Sequence, residues 1–468
     1  WSLYRIIRYN GRDGVYNDLD KCPWGLSALK DVTKNSQCQN WGNPFAEIYY
    51  QSINYLAGGA VIGPFHSNQS NIIDGLPAPQ GFKEPLAAGD YCAQLSVINL
   101  NSSVISYDHD QLDGNSYGPP KIWDPAVLPP GQDSTAMTNW VGAAEGIHGQ
   151  SYYVGGINLG GTGDNQLCTA KTVTQLGKAG GLCPEAPRLY GSYRIAGLAY
   201  YAHTKDIRPK KMEGDQVVDT YSVALASGAP LIKIPDPENP ATPSQVTILP
   251  ACRNTKLNPQ GNCAIVDFRI ISQQTDAVAK KATGRFYINW EDSEQGGDFD
   301  EDLWGTLDYE LDKTAGTLSI TTQVHAQSTD HVLGFGYVLG GTTSDGFHAH
   351  SGINGYTYTD TAINFDCRSG CRCLNSGTEG ACNRTDTGPS KKVYSLGTSG
   401  AKLLEDPLWY AAKWGGFIDT DGSKTPNLVE EWDSRINATG GTGSDGIPDN
   451  YYYATNPSQL EDSLEREF

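Results

Sequence analysis

The chain has 468 residues, with 54 glycines and 26 prolines against 2 methionines, and a formal charge of −19 at neutral pH. That length exceeds one ordinary domain, so two or three turn-rich, loop-rich units are expected. The acidity, with no basic patch to neutralise phosphates, excludes nucleic acid as a partner and favours divalent cations, which also offset self-repulsion.

Residues 1–40 read as an irregular, Asp-rich entry with one short loop closed by Cys22 and Cys38. No signal peptide opens the chain, and its abrupt start at Trp1 reads as a processed or excised segment. Pro44 then suits the first turn of a helix whose Phe45, Ile48, Tyr49, Ile53 and Leu56 recur at helical spacing, with Gly58–Gly59 as its stop. After a Pro/Gly/Asn loop, Cys92–Leu100 (CAQLSVINL) reads as a buried strand. It leads to a weaker acidic loop with Asp108, Asp110 and Asp113. Residues 114–165 are expected to be mostly loop. Their Gly155–Gly163 run lacks the Lys-Ser/Thr ending of a phosphate cradle. Gly114–Gly118 fits a Gly-x-Ser-x-Gly pattern, but Pro119–Pro120 follow where a nucleophile elbow needs a helix. Arg194–Thr204 reads as an amphipathic helix and Val217–Ala226 as a strand.

From 228 to 366 the texture is β. Strand-like runs at 245–249, 263–271, 285–290, 303–311, 317–326 and 332–340 are spaced as in a sandwich or barrel-like module. Helical texture returns at Ala401–Trp414, and a final strand at Tyr451–Thr455 precedes a helix capped by Asn456 or Ser458. The organisation predicted is an α/β domain at 1–227 and 401–468 carrying an inserted mainly-β module at 228–400. No run of about eighteen apolar residues exists to span a membrane.

Seven carboxylates stand in the twelve residues Glu291–Asp302 (EDSEQGGDFDED), between two strand-like runs. Glu291, Asp292, Glu294, Asp298, Asp300 and Asp302 are candidate ligands for Ca2+, which takes six to eight hard oxygens in flexible geometry. The plainer alternative is a solvated acidic hairpin tip. A second candidate starts at Asp419-Thr-Asp421-Gly-Ser423 and continues through Asn427, Glu430, Glu431 and Asp433, with Asp445, Asp449 and Asn450 completing it from beyond a Gly-rich loop. An ordinary Asx-turn loop is the alternative there. The pair Asp298 and Asp302 could mimic a glycosidase's two carboxylates, but cation binding explains all the charges and catalysis only two. His348-Ala-His350 is expected at the surface.

Of 11 cysteines, Cys22 with Cys38, Cys168 with Cys183, and Cys252 with Cys263 form local pairs. Cys367, Cys371, Cys373 and Cys382 form a cluster whose spacing does not suit zinc, so disulfides are expected there too. Cys92 is left over. The pattern points to an oxidising, extracytoplasmic setting.

Cys38–Gly59 (CQNWGNPFAEIYYQSINYLAGG), Tyr107–Asp113 (YDHDQLD), Leu182–Pro184 (LCP), Trp290–Asp302, Pro407–Phe417 (PLWYAAKWGGF) and Asp449–Phe468 together resemble the PilY-type tip proteins of bacterial type IV pili. The resemblance implies a von Willebrand factor A-like (Rossmann-like) fold, incomplete here because the opening strand with its Asp-x-Ser-x-Ser motif is missing. It also implies a C-terminal calcium-binding propeller, which the stretch ending at Phe468 does not contain. The adhesion site of such a domain would place a threonine ahead of the helix near Pro44 and an aspartate after the Cys92 strand. The sequence has Asn43 and Ser102 there, so calcium is expected elsewhere. The function implied is non-enzymatic. It is that of a secreted, calcium-binding component of the pilus tip (fimbrium), acting in pilus assembly and cell adhesion, with minor pilins and a host or surface receptor as partners. The alternative is a secreted, calcium-stabilised polysaccharide-active hydrolase.

Overall fold

The computed structural model describes residues 43–59, 83–102 with scattered positions to 112, 133–159, 168–183, 191–209, 212–225, 231–254, 263–291, 302–353 apart from 328 and 330, 372–373, 389–397 and 401–454. The expectations for Cys22 and Cys38, Asp110, Asp113, Gly114–Gly118 and the helix after Asn456 lie outside these residues.

The α/β part begins with helix α1 (Phe45–Leu56), strand β1 (Leu95–Asn101) and helix α2 (Ser134–Ala144). Strands β2 (Gln150–Val154) and β3 (Thr169–Val173), helix α3 (Arg194–Thr204) and strand β4 (Val218–Leu225) follow. After a long β segment come β15 (Ala401–Leu403), helix α4 (Pro407–Gly415), the short β16 (Arg435–Ile436) and β17 (Gly441–Thr442), and β18 (Tyr451–Ala454). Strands β1, β4 and β18 make a three-stranded sheet, with β1 and β18 both parallel to the central β4. The expectation that the last strand joins those at 92–100 and 217–226 therefore holds, but the first strand starts at Leu95 and, as an edge strand with Ile98 and Leu100 exposed, is not the buried strand expected. Helices α1, α3 and α4 bury Tyr49, Ile53, Ile195, Leu198, Leu408 and Ala411 in one cluster with Leu95, Val218 and Tyr451 of that sheet. Each such aliphatic or aromatic side chain contributes about 1.5–3 kcal/mol when fully buried.

Several stretches of the α/β part differ from the sequence reading, among them strand β2 inside the expected loop of 114–165. Within the expected loop of 114–165, α2 forms because Asp133 caps it, its carboxylate accepting from Ala136 N–H at 2.7 Å. Met137 and Val141 point into the protein at helical spacing, and Gly197 of α3 lies where any Cβ would meet Thr138 N at 2.5 Å. Tertiary packing outweighs the weak propensity of the Thr, Asn and Gly in this segment. The helix expected at Ala401–Trp414 begins only at Pro407. Asp406 caps it and accepts from Leu408 N–H at 2.7 Å. Residues 401–403 pair in parallel with β2 instead, and β15, β2 and β3 form a separate sheet.

Between β4 and β15 lie β5 (Ile232–Asp236), β6 (Asn239–Asn254), β7 (Ala264–Asp276), β8 (Lys281–Glu291) and β9 (Leu303–Asp312). Then come β10 (Thr317–Gln327), β11 (Leu333–Gly340), β12 (Gly346–Gly352), β13 (Arg372–Cys373) and β14 (Ser390–Ser395). They form two five-stranded sheets, β14-β10-β9-β8-β7 and β13-β12-β11-β6-β5, packed face to face as a sandwich. Strand β9 shows the cause plainly, since Leu303, Gly305, Leu307, Tyr309 and Leu311 are buried while every residue between them is half exposed. Trp290 and Phe335 meet edge to face across the two sheets, 6.4 Å between ring centres. Strands β5, β12 and β14 were not legible; β12 is buried along its whole length, so it has no alternation to read.

His348 and His350 are buried, not at the surface as expected. His350 Nε2 meets Tyr337 Oη at 2.7 Å, and the same hydroxyl meets Tyr394 Oη at 2.7 Å. This network ties β11 and β12 to β14 and occupies the imidazole. The sandwich rests on the β15-β2-β3 sheet, where Tyr153 joins Leu249, Val338 and Phe347 in a further cluster and donates to the Leu339 carbonyl at 2.7 Å.

Disulfides join Cys168 to Cys183 and Cys252 to Cys263, and Cys92 is an exposed free thiol. The pairing of Cys367, Cys371, Cys373 and Cys382 falls outside the described residues.

At Gly415, α4 crosses β4 so closely that an added Cβ would meet Thr220 Oγ1 at 2.6 Å and the Ala199 Cβ at 2.9 Å. Gly415→Ala is expected to destabilise the protein by about 1–3 kcal/mol in urea unfolding, overriding the ~1 kcal/mol that alanine gains in an open helix. Unchanged or raised stability would show that α4 does not sit on β4 at this distance.

Candidate metal centre

The segment after α4 is built by carboxylates closing backbone turns. Asp419 accepts from Gly422 N–H at 2.9 Å and from Lys424 N–H at 3.1 Å. Gly422 and Lys424 both have positive φ, 78° and 60°, which the glycine takes freely and the lysine at a cost. Asp421 accepts from Ser423 N–H at 2.8 Å and from Asn427 Nδ2 at 2.9 Å. Asn427 Oδ1 in turn accepts from Ser423 Oγ at 2.6 Å. Glu431 reaches back to receive Thr420 N–H and Oγ1, each at 2.8 Å, and Leu428 N–H at 3.2 Å.

These contacts gather Asp419, Asp421 and Glu431 so that one carboxylate oxygen from each lies within 4.8 Å of the others. Each such pair of charges repels by roughly 1 kcal/mol in bulk water and about 3–4 kcal/mol at an effective dielectric of 20. Glu431 is 2 % exposed; burial pushes its carboxyl up, but the bonds from Thr420 and Leu428 hold it below the ordinary range. The Asn427 and Ser423 bonds likewise lower Asp421. Glu431 and Asp421 therefore stay ionised at neutral pH. Its donors are hard oxygens, with neither imidazole nor thiolate among them, a set that suits Ca2+ rather than zinc.

Of the residues expected here, the structure brings Asp419, Asp421, Ser423 and Asn427 into one turn. Glu430 is exposed and outside the group; its neighbour Glu431 takes that place. Glu431, which the sequence offers beside Glu430, is the one turned inward, by the short helical turn Val429–Glu431 just before Trp432. Asp445 and Asp449 also stand outside the group. Asp449 accepts from Ser434 N–H, Ser434 Oγ and Arg435 N–H, and Asp445 from Asn437 and Ile447 N–H. Buried Asp433 accepts from Ser444 Oγ, Asp445 N–H and Gly446 N–H, so this second loop is braced by its own aspartates.

The acidic run at 291–302 lies in the chain between β8 and β9, which pair antiparallel. Glu291 and Asp302, at its base, are buried. Asp292, Glu294, Asp298 and Asp300 lie outside the described residues.

At the C-terminal end of β1, Asn43 Nδ2 donates to Asn101 Oδ1 at 2.7 Å, and Asn43 N–H to Ser106 Oγ at 2.8 Å. Fully buried Asp108 accepts from Ser192 N–H at 2.8 Å and from Ala46 N–H in the first turn of α1 at 3.4 Å. It supplies the cap that Pro44, at the helix start, cannot. Burial pushes its carboxyl up to about 7, against the lowering by Ser192.

Residues 1–202 match the family model described as the second domain of PilY1 homologs, and residues 242–385 match the β-sandwich of PilY1 homologs. The chain is 30% identical over 460 residues to a type IV pilus biogenesis factor PilY1 homolog of Xylella fastidiosa, a match covering 88% of this chain and 30% of that protein. The chain thus spans about 30% of the length of the curated relative it matches. No solved structure matches.

The Asp108 carboxyl titrates higher in the folded chain than in the unfolded one, near 3.9. Its contribution to stability is therefore fully present below about pH 4 and is lost as pH rises through about 7. Asp108→Asn removes that loss, so its stability relative to the parent should improve from pH 4 to pH 8 by an amount on the order of a few kcal/mol. Urea midpoints at both ends of that range check this; a difference between the two proteins that does not change with pH would contradict the buried placement.

Proposed function

We propose, from the premise of a chain similar to PilY1 homologs along most of its length, that it is a non-enzymatic component of the type IV pilus tip. It acts there in pilus assembly and in surface adhesion, outside the cell. The observation that carries this reading is the paired match of 1–202 and 242–385 to successive segments of PilY1 homologs, reinforced by the identity to a curated pilus biogenesis factor. We read the α1–β4 and α4–β18 segments as one von Willebrand factor A-like unit; the parallel β1-β4-β18 sheet under three helices supports this. Two disulfides support an oxidising compartment. No helix among the described residues is long and apolar enough to cross a membrane.

Minor pilins are the partners this role requires, with a receptor on the target surface for adhesion. A strain lacking the chain should lose surface pili and attachment, and both should return on complementation. Normal piliation in that strain would refute the assembly role.

Calcium is the cofactor we assign. Asp419, Asp421 and Glu431 would hold it, with Asn427 as a neutral donor, and the ion would neutralise a cluster that otherwise repels itself. Its contribution is structural. At free calcium about a hundredfold above Kd, linkage is worth ~2.7 kcal/mol. Chelation should lower the melting temperature, and Asp421→Asn should lower it without chelator and blunt the chelator's effect. A melting curve indifferent to chelator would remove calcium from the account.

A further inference from the structure

The outer face of the sheet β14-β10-β9-β8-β7 holds a groove of about 380 Å³ that crosses all five strands. Five strands at 4.7–4.9 Å spacing make it roughly 19 Å long, and it is open along its length. Its floor is formed by the short hydroxyl side chains of Ser272, Thr283, Ser319 and Thr321. Arg285 and Asp308, paired through two hydrogen bonds of 2.6 and 3.1 Å, stand within it, and Glu310 and Lys391 complete the lining. The register aligns Ser272, Arg285, Asp308, Thr321 and Lys391 in one row across the strands.

Beyond this row on the same face stand Tyr287, opposite Thr306, and one row further Trp304, opposite Asn289, with their ring centres 5.4 Å apart and His325 stacked on Trp304 at 4.9 Å. On the other side lie Lys281 and its partners Glu310 and Asp312, each at 3.2 Å. The sheet thus sets a hydroxyl-floored channel between an aromatic ladder and an ionic one.

We propose that this groove binds a neutral, hydroxyl-rich glycan chain. Its charged lining balances, two cations against two anions. A phosphate-rich or uronate-rich polymer would need an excess of cations that neither the groove nor this acidic chain supplies. A metal ion would need carboxylates not already committed to Arg285 and Lys281. What the lining offers is many polar groups that both donate and accept, with guanidinium and carboxylate edges for vicinal hydroxyls. Hydrogen bonds to such charged groups are worth about 1.5–3 kcal/mol each, against 0.5–1.5 for neutral pairs. An open groove also fits a segment of a polymer better than a small ligand, which an enclosed pocket would surround. This deepens the adhesion half of the proposed function and rests on that reading only for its biological setting.

The test is affinity electrophoresis of the whole chain in native gels containing yeast mannan, dextran or galactan, with alginate as the acidic comparison. At least one neutral polysaccharide should retard the protein, and retardation should persist in about 0.5 M salt, where charge attraction is screened within a few Å. Thr321→Tyr and Ser319→Tyr, which fill the floor without touching the core, should each weaken retardation at least about ten-fold. Arg285→Gln should weaken it without adding bulk, and Val393→Ser on β14 should leave it unchanged. Melting curves verify that each variant is folded. No retardation by any neutral polysaccharide, retardation that survives both fillings, or retardation by alginate alone overturns the proposal. Piliation is scored separately, so failure here leaves the assembly role standing.

Discussion

Thr220, wholly buried in the first half of β4, is where the α/β part is joined. Its Oγ1 meets Tyr49 Oη of α1 at 2.7 Å, and its carbonyl accepts from Asn450 Nδ2, beside β18, at 3.3 Å. Gly415 of α4 rests directly against its side chain. Three segments far apart in sequence therefore converge on one residue. A buried hydroxyl or amide left without its partner costs about 1–3 kcal/mol, so each of the three constrains where the others can sit. His203 adds a lock at the start of β4, with Nδ1 3.1 Å from Asp219 and Nε2 2.8 Å from the Phe417 carbonyl.

That arrangement decides how the sandwich is carried. It leaves the α/β part after β4 and returns through β15, so both of its ends are tied to the same neighbourhood. Its seat is apolar, with Tyr153 and Leu403 of the small sheet against Val338 and Phe347. The outer face of β14-β10-β9-β8-β7 is left to solvent, which is why polar and aromatic side chains can share it.

Much of this was legible in the sequence because it is periodic. The helix at Phe45–Leu56, the helix at Arg194–Thr204 and the alternating strands from 263 to 326 announce themselves through 3.6- and 2-residue repeats. What could not be read was set by distant partners. Ala401–Leu403 has no strand pattern and is a strand because β2 accepts it. The helix Ser134–Ala144 exists because Gly197 lets α3 approach it. In the candidate metal centre, the Asp-x-Asp-Gly nucleus was visible as a motif. The choice between Glu430 and Glu431 was not, since it depends on which carboxylate the turn buries. Asp108 read as one member of a loose acidic loop, whereas the fold uses it as the cap of a helix some sixty positions away.

Sheet pairing also orders the events of folding. The disulfides span only 15 and 11 positions, and the strands of the sandwich mostly pair with near neighbours. By contrast, Asn99 faces Ser222 across 123 positions, and Asn450 reaches Thr220 across 230. Contacts of such high order form slowly, and a chain emerging from its N-terminal end cannot make the last of them until β18 has appeared. The sandwich can thus be complete while β4 still waits for its second neighbour. During that interval β4 exposes an unpaired edge, a template on which a strand of another chain can pair.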